Sequence, residues 1–564
     1  MAPRICLAAA IVATVGVIVP LAYLGVHATD AGFDQLAEML WSGPRLAYNL
    51  RLLSNTLLLA TTVCAIDLAL AAPAAWLTGR TRLVGRRVWT VLLVMPLAVP
   101  GYLMAFALLS LGGYGSPLEH LGLRIPKLTQ FWGATIALSL YLFPYMFLSL
   151  RSAVVGLDRH VEEAAQSLGA NRARVWRHVV VPRLMPAAAA GGLLVVLHVL
   201  ADFGVVSLMR YETLSYAVEQ QLANSDRTYL ACLALILLGI ALLPVIGREL
   251  LIRDTPLQRV GAGAARKVEP TPLGWWSLVA YPYLAAIVFA GVILPVGTII
   301  YWALPPMGTA ADAQQASGTV AGEFDWELGR IVPPDAAAPA DQQDDSVLAA
   351  LSGMAATVWP AAWSSIRVAL PAAILAALLA LPIAYYRIRY PTRGARLAER
   401  AVYLGYATPP MAFALSLIFV ALAIDQWNIL PPLYKSLGLL VAAYTLHFLA
   451  ESLGPLRASM ATASQRLEEA ARSMGCPPVA VFRRVTFPLV RSGVLVSLAF
   501  VFLSCMKELP LTMMLRPDEY ETLAFTVWSL TDDVRYAEAA PFALVIVAIS
   551  TLFVGLLLRT KEST

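Results

Sequence analysis

The residues of this chain best placed to do chemistry are ionisable side chains set at the ends of long apolar stretches. Asp202 and Glu508 stand at equivalent places near the outer ends of two predicted spanning segments, with His198 one turn before Asp202 and Lys507 beside Glu508. Charged groups at membrane depth are costly and usually face a cavity or a partner, and hard cations prefer oxygen ligands. A carboxylate from each half of the chain could therefore flank a central path, with Tyr211-Glu212 and Tyr520-Glu521 at its outer mouth. The same two carboxylates could instead cap helix ends. Asp67, His447 and Glu451 read as packing or helix-bridging polar residues. No nucleophile–base arrangement and no His/Asp/Glu cluster at a common depth is present, so a membrane-embedded enzyme is not indicated. A Gly-x-x-x-x-Gly-Lys-Ser/Thr loop is also missing from the sequence, which therefore has no phosphate cradle of the P-loop kind.

The elements that must carry these residues are membrane helices. The chain has 564 residues, 59% of them hydrophobic and only 14% charged, with a mean hydropathy of +0.69. This composition excludes a soluble enzyme. A bilayer core about 30 Å thick needs roughly 20 apolar residues per helix. Stretches that qualify lie near 5–27, 53–77, 88–111, 131–150, 186–208, 229–247, 277–303, 363–386, 401–424, 437–455, 491–510 and 538–559, which makes twelve spans of an all-α polytopic membrane protein. The first reads as a retained helix rather than a cleaved signal, for want of a small-residue cleavage site. Basic loops at 78–87, 248–267 and 387–400 alternate with the acidic loop 304–362, which places both termini on the cytoplasmic side. The net charge of +5 follows from this topology and calls for no nucleic acid. Cys6, Cys64, Cys232, Cys476 and Cys505 form neither a disulfide framework nor a zinc spacing.

Two polar islands interrupt the apolar text and repeat one another. Residues 162–182 read EEAAQSLGANRARVWRHVVVP, and 468–488 read EEAARSMGCPPVAVFRRVTFP. The repeat extends outward: 71–80 corresponds to 379–388 with Pro73 on Pro382, 98–108 lies on 407–417, and YETLSYAV at 211–218 matches YETLAFTV at 520–527. The chain therefore divides into a first half, 1–260, a cytoplasmic linker, 261–276, and a second half, 277–564, built as parallel six-helix repeats. Segment 304–362 is an extracytoplasmic insertion in the second half. Within each island Asp158 or Ser464 should cap a helix that stops at Gly169 or Gly475, and Pro182 or Pro488 should close a second helix before the chain re-enters the membrane. Val175, Trp176, Val179 and Val180, matched by Val481, Phe482 and Val485, give that second helix an apolar face. Small alanines beside a glutamate permit close approach of another protein with one charge to set the register, and the pattern is kept twice.

These residues resemble the membrane subunits of importer-type ABC transporters, whose signature is Glu-Ala-Ala, then a glycine four residues on, an aromatic and a proline. Here it reads Glu163, Ala164, Ala165, Gly169, Trp176, Pro182 and Glu469, Ala470, Ala471, Gly475, Phe482, Pro488. The resemblance implies that the islands are coupling helices seated in clefts of two cytoplasmic ATPase subunits. Those subunits would hold ATP and magnesium, this chain binding no cofactor itself, and an extracytoplasmic solute-binding protein would deliver substrate across the bacterial inner membrane. Cys476-Pro477-Pro478 departs from the usual continuation, so the two copies are not expected to dock identically. Segments 200–214 (LADFGVVSLMRYETL) and 506–523 (MKELPLTMMLRPDEYETL) are similar to those of iron(III) uptake permeases, and fused permeases for thiamine and phosphonates share the scaffold. An ion-coupled secondary transporter is the rival of a different class; it would need relay carboxylates deep in several spans and would have no use for twin hairpins.

Overall fold

The computed structural model describes residues 3–29, 43–113, 116–120, 122–123, 125–157, 159–222, 227–251, 271–304, 323–325, 330–332, 343–390, 392–428 and 431–560. In a bilayer each segment must satisfy its own backbone N–H and C=O groups, and the apolar runs accordingly form helices. The first half comprises α1 (Pro3–Thr29), α2 (Gly43–Arg80), α3 (Arg86–Val94), α4 (Gly101–Leu111), α5 (Gln130–Gly156), α6 (Arg159–Ser167), α7 (Arg172–Ala201), α8 (Gly204–Leu208), α9 (Leu214–Leu222) and α10 (Arg227–Leu251). The second comprises α11 (Gly274–Ala303), α12 (Gln343–Arg389), α13 (Arg393–Ala407), α14 (Pro410–Asp425), α15 (Leu437–His447), α16 (Leu449–Thr462), α17 (Gln465–Ser473), α18 (Pro478–Lys507), α19 (Pro510–Leu515), α20 (Leu523–Asp532) and α21 (Tyr536–Thr560). The order of these elements is the same, except that the unbroken α5 answers to the pair α15 and α16; a four-residue helix, Pro117–His120, also stands between α4 and α5 without a counterpart among the described residues.

Among the described residues nine helices are long and apolar enough to span, and three bent pairs raise the number to as many as twelve. The predicted spans 88–111 and 401–424 are therefore not straight rods: the chain turns by 89° before α4 and by 108° before α14. Prolines cause both bends. Val99 and Thr408 precede Pro100 and Pro409 and take extended backbone (ψ 111° and 126°), as crowding by a following proline ring demands. Each proline then becomes the N-cap of the next helix. A third break, of 45°, falls at Phe448 between α15 and α16.

The halves exchange their first helices. α1 packs against α12, α13 and α14 of the second half, and α11 against α3, α4 and α5 of the first. Close approach through glycine makes the α1 contact possible: a Cβ on Gly405 would lie 3.0 Å from Val17, and one on Gly16 only 2.9 Å from Leu446. On the other side the Tyr283 hydroxyl donates to the Leu70 carbonyl at 2.6 Å, and Tyr281 accepts from the Val84 N–H at 3.1 Å. Division of the chain at 261–276 is thus sequential, and the packing units interlock across it. Thr271, from that linker, exchanges backbone bonds with Arg80 and Arg82 at 2.9–3.0 Å. The insertion 304–362 is shorter as a loop than the sequence suggests, because α12 begins at Gln343. Apart from Leu304, which caps α11, its other described residues form a short antiparallel ladder, Glu323–Asp325 with Arg330–Val332.

Candidate functional site: the twin hairpins and the cavity between the halves

Each island is a helix, a glycine turn and a second helix. α6 ends at Ser167 and α17 at Ser473. Gly169 (φ +86°) and Gly475 (φ +84°) then enter the left-handed region, where a side chain is strained. The turn is a Schellman closure in both copies. The Ala170 N–H donates to the Ala165 carbonyl and the Cys476 N–H to the Ala471 carbonyl, each at 3.1 Å. Ser464 stands at the N-cap of α17 but makes no side-chain cap bond; Asp158 lies outside the described residues. The second helix starts by different chemistry in the two copies. Asn171 caps α7 by accepting from the Arg174 N–H at 2.8 Å, whereas Pro477 and Pro478 start α18 with backbone angles preset by their rings.

Pro182 and Pro488 do not close a second helix. α7 and α18 each run 30 residues from the hairpin into the membrane. A proline inside a helix loses one hydrogen bond and crowds the carbonyl four residues back. Here the preceding turn is widened to π geometry, at Trp176–Val180 and Phe482–Thr486, which admits the ring without a break. The hairpin is consequently the end of a spanning helix and moves with it.

The apolar face of the second helix points inward: Val175, Val180 and Val481 are buried. The most exposed apolar side chains of the hairpins are at the tip, where Leu168 is 88% and Met474 76% accessible, and these two residues are repeat equivalents; Val479, Leu467 and Trp176 are exposed to a lesser degree. Glu163, Ala164, Glu469 and Ala470 are exposed on the first helix, while Ala165 is half-buried and Ala471 buried. Gln465 donates to Glu469 at 2.9 Å. Trp176 and Phe482 lie against aromatic rings of the body, Trp76 at 4.8 Å and Tyr385 at 6.3 Å, both edge-on.

The first glutamate of each Glu-Glu pair faces the other way, into the body. Arg80, the last residue of α2, lies 2.9 Å from Glu162, and Arg389, the last of α12, lies 2.8 Å from Glu468. Each arginine also donates to the carbonyl that ends the helix before the island, Leu157 or Ala463, at 2.9 Å. The copies differ in strength. Glu468 also accepts from the Tyr385 hydroxyl at 3.1 Å and has Arg472 at 3.6 Å. Glu162 has the Arg80 charge beside it, but the Arg80 N–H groups are aimed at the carbonyls of Val154 and Leu157.

Between the halves lies a cavity of about 230 Å³. Tyr102, Tyr141, Tyr145, His198 and Asp202 line it from the first half, and Tyr406, His447, Glu451, Ser504, Lys507 and Glu508 from the second. The islands' offset of 306 residues pairs Tyr141 with His447, Tyr145 with Glu451, His198 with Ser504, and Asp202 with Glu508. The lining is therefore two-fold in position and only the Asp202–Glu508 pair is two-fold in chemistry. Both carboxylates cap as well as line: Asp202 accepts from the Val205 N–H at 2.8 Å, starting α8, and Glu508 from the Leu511 N–H at 3.1 Å, starting α19. They close α7 and α18, yet they share the cavity with Tyr141 and Tyr145 from the middle of α5, so helix end and membrane surface do not coincide here. Glu451 accepts from Ser504 at 2.5 Å, bridging α16 and α18, and His198 bonds the Leu194 carbonyl at 2.8 Å through Nδ1. Lys507 crosses between the halves to the Leu97 carbonyl at 3.0 Å.

Tyr211, Glu212, Tyr520 and Glu521 do not line this cavity. The tyrosine hydroxyls donate to backbone carbonyls of α2 and α12, Tyr211 to Asn55 at 3.5 Å and Tyr520 to Ser364 at 2.6 Å. The Glu212 carbonyl accepts from the Asn55 amide at 2.9 Å, and Glu521 is exposed. Tyr211, Tyr520 and the Glu212 backbone are staples of the fold. Asp67 is fully buried in α2 with neither carboxylate oxygen hydrogen-bonded. Among the described residues no three His, Cys, Asp or Glu side chains come close enough together to hold a metal ion. On the side of the cavity away from the hairpins the halves are joined by Arg210–Asp532 at 2.7 Å and by Trp528 donating to Ser207 at 3.0 Å.

A repeated six-helix unit with paired hairpins and a polar cavity at the interface is the architecture of a solute permease. Residues 71–255 and 369–560 both match the family of binding-protein-dependent transport system inner membrane components, and the chain belongs to that family as two such domains fused in one polypeptide. It is an ABC-importer permease, a multi-pass protein of the inner membrane. Over 540 residues it is 28% identical to an iron(III)-transport system permease protein of Haemophilus influenzae, covering 95% of this chain and 94% of that one. It is 22% identical over 532 residues to a ferric transport system permease protein of Actinobacillus pleuropneumoniae, covering 92% and 71%. A sulfate transport system permease protein of Salmonella typhimurium is 30% identical over 180 residues, covering 30% of this chain and 64% of that one.

Proposed function

We propose that this permease imports iron(III), taking it from an extracytoplasmic binding protein and releasing it to the cytoplasm as two ATPase subunits engage the hairpins. The observation that carries the substrate reading is end-to-end similarity to an iron(III) permease, whereas the sulfate permease matches less than a third of the chain. The cavity's chemistry supports it. Four phenols and three carboxylates supply hard oxygen atoms against a single lysine, a lining that favours a cation over an oxyanion. With no three-residue metal cluster among the described residues, the ion would be passed along rather than retained.

In this reading the hairpin end faces the cytoplasm and both termini lie on that side, as the basic loops require. The ATPase subunits hold ATP and magnesium, and this chain contributes no cofactor. Glu163 and Ala164 with Leu168, and Glu469 and Ala470 with Met474, form the docking surfaces, with the half-buried Ala165 and the buried Ala471 packed behind them. Transport is by alternating access: closing the motor beneath α7 and α18 moves the two halves, and the Arg210–Asp532 and Trp528–Ser207 contacts part to admit the ion. A strain lacking the chain, grown with ferric salt, thiamine, a phosphonate or sulfate as the limiting nutrient, tests the substrate. Growth should depend on the chain only when iron limits. Dependence under thiamine, phosphonate or sulfate limitation alone would overturn iron.

A further inference from the structure

The two buried arginine–glutamate pairs lie outside the docking surfaces and outside the cavity, yet they recur at equivalent places. Counting by the offset that sets Pro73 on Pro382, Trp76 and Arg80 fall on Tyr385 and Arg389, one helical turn apart at the ends of α2 and α12. Each pair of side chains grips one hairpin at two points. The arginine holds Glu162 or Glu468, and the ring lies edge-on to Trp176 or Phe482. Through its bond to the Leu157 or Ala463 carbonyl the arginine also ties the hairpin to the end of α5 or α16. Those helices bring Tyr141 and Tyr145, or Glu451, to the cavity.

We propose that Arg80 with Glu162 and Arg389 with Glu468 are positioning residues of coupling: joints that make each hairpin, its spanning helix and the helix before it move as one body. The inference rests on the docking role proposed above. Without the joint, a hairpin pushed by its ATPase would shear past α5 or α16, and the force would not reach the cavity. A solvated ion pair could not do this, because exposed pairs contribute little and reorganise freely. These pairs are enclosed, with Arg389 and Glu468 side chains 8% and 3% accessible and Arg80 and Glu162 7% and 17%. Breaking one leaves a charge without its partner in a closed site. The joints are unequal. Tyr385 donates to Glu468, whereas the corresponding Trp76 stacks near Arg80, 5.6 Å away, and gives Glu162 no hydrogen bond. The second joint is the stiffer, and its loss is the more damaging.

The test is made on the assembled transporter in proteoliposomes, with its ATPase and iron-loaded binding protein. Glu468→Gln keeps the side chain's shape and removes its charge. Iron imported per ATP hydrolysed should fall about tenfold, while the ATPase co-purifies at the unmodified ratio and hydrolysis stays within about twofold. Glu162→Gln should cause a smaller fall of the same kind. Tyr385→Phe, which keeps the ring and removes only the bond to Glu468, should lower the ratio by about twofold; it serves if a glutamine variant is too unstable to assemble. Import and hydrolysis declining in proportion would mark these residues as merely structural, and an unchanged ratio in all three variants would overturn the proposal. Failure of the unmodified chain to hold the ATPase at all would instead refute the docking role and the joint with it.

Discussion

Truncating the hairpin tips should weaken attachment of the ATPase without disturbing the membrane domain. Leu168 and Met474 are 88% and 76% accessible, so neither packs against the rest of the chain. Leu168→Ala removes three carbon groups, each worth about 0.8 kcal/mol when buried. Scaled by the exposed fraction that docking can bury, the transfer term is about 2 kcal/mol. Interfaces return less than the full area value, because side-chain ordering and imperfect pairing offset part of it. The expected loss is therefore roughly 1–2 kcal/mol per tip, which is about 5- to 30-fold in Kd. The tips sit in different halves and each meets its own ATPase subunit, so in the Leu168→Ala, Met474→Ala double variant both sites should weaken, each by its own amount. The assay is titration of the purified ATPase onto the permease in nanodiscs, read by interferometry. Thermal stability of the permease alone is the control, and it should not move. ATPase affinity within twofold of the unmodified protein in the double variant would refute the reasoning that these tips enter the motor's clefts.

Other perturbations probe neighbouring parts. Replacing both Glu163 and Glu469 by Lys should release the ATPase during purification and abolish uptake; unchanged co-purification and uptake would remove the glutamates from the docking surface. Gly169→Val should cost about 1–2 kcal/mol of hairpin stability from its positive φ alone, since no atom lies within 4 Å of a Cβ there, whereas Gly169→Asn should retain most activity. Uptake assays on the two variants check this, and equal activity would argue against the left-handed turn. Lys507→Met removes the bond to the Leu97 carbonyl across the halves and a positive charge from the cavity. It should raise uncoupled ATP hydrolysis while leaving ATPase binding intact, and hydrolysis at the unmodified rate would show that this bond does not hold the halves.

The hairpins were the most legible part of the chain, because a glycine at the helix end and a repeated Glu-Glu-Ala-Ala pattern both have a local physical meaning. Their continuation was less so. Pro182 and Pro488 read as helix stops, and only the structure reveals the π turns that accommodate them. The bends at Pro100 and Pro409 had a signal in Val99-Pro100 and Thr408-Pro409, but it was outweighed by the length of the apolar runs around them. Arg80 and Arg389 belong to the basic loops 78–87 and 387–400 that set the topology, a role that says nothing of the glutamates they hold. Asp202 and Glu508 were visible as a matched pair. The companions that complete their cavity, Tyr141, Tyr145, Tyr406 and Glu451, lie in spans far away in sequence, where a tyrosine or a lone carboxylate has many ordinary uses. Tyr211 and Tyr520 looked like part of the mouth because they follow those carboxylates closely; their hydroxyls are instead spent on the backbones of α2 and α12. Exchange of the first helices could not be read at all, since an evenly apolar helix does not specify its neighbour.

Transport itself is the most direct test. Proteoliposomes containing this chain and its ATPase, supplied with binding protein loaded with radioactive iron(III) on the outside and ATP within, should accumulate iron. Accumulation should require both the binding protein and ATP hydrolysis, and should be insensitive to proton or sodium ionophores. Iron uptake that persists without ATP and collapses with an ionophore, or ATP-driven uptake of a different solute with none of iron, would contradict the account.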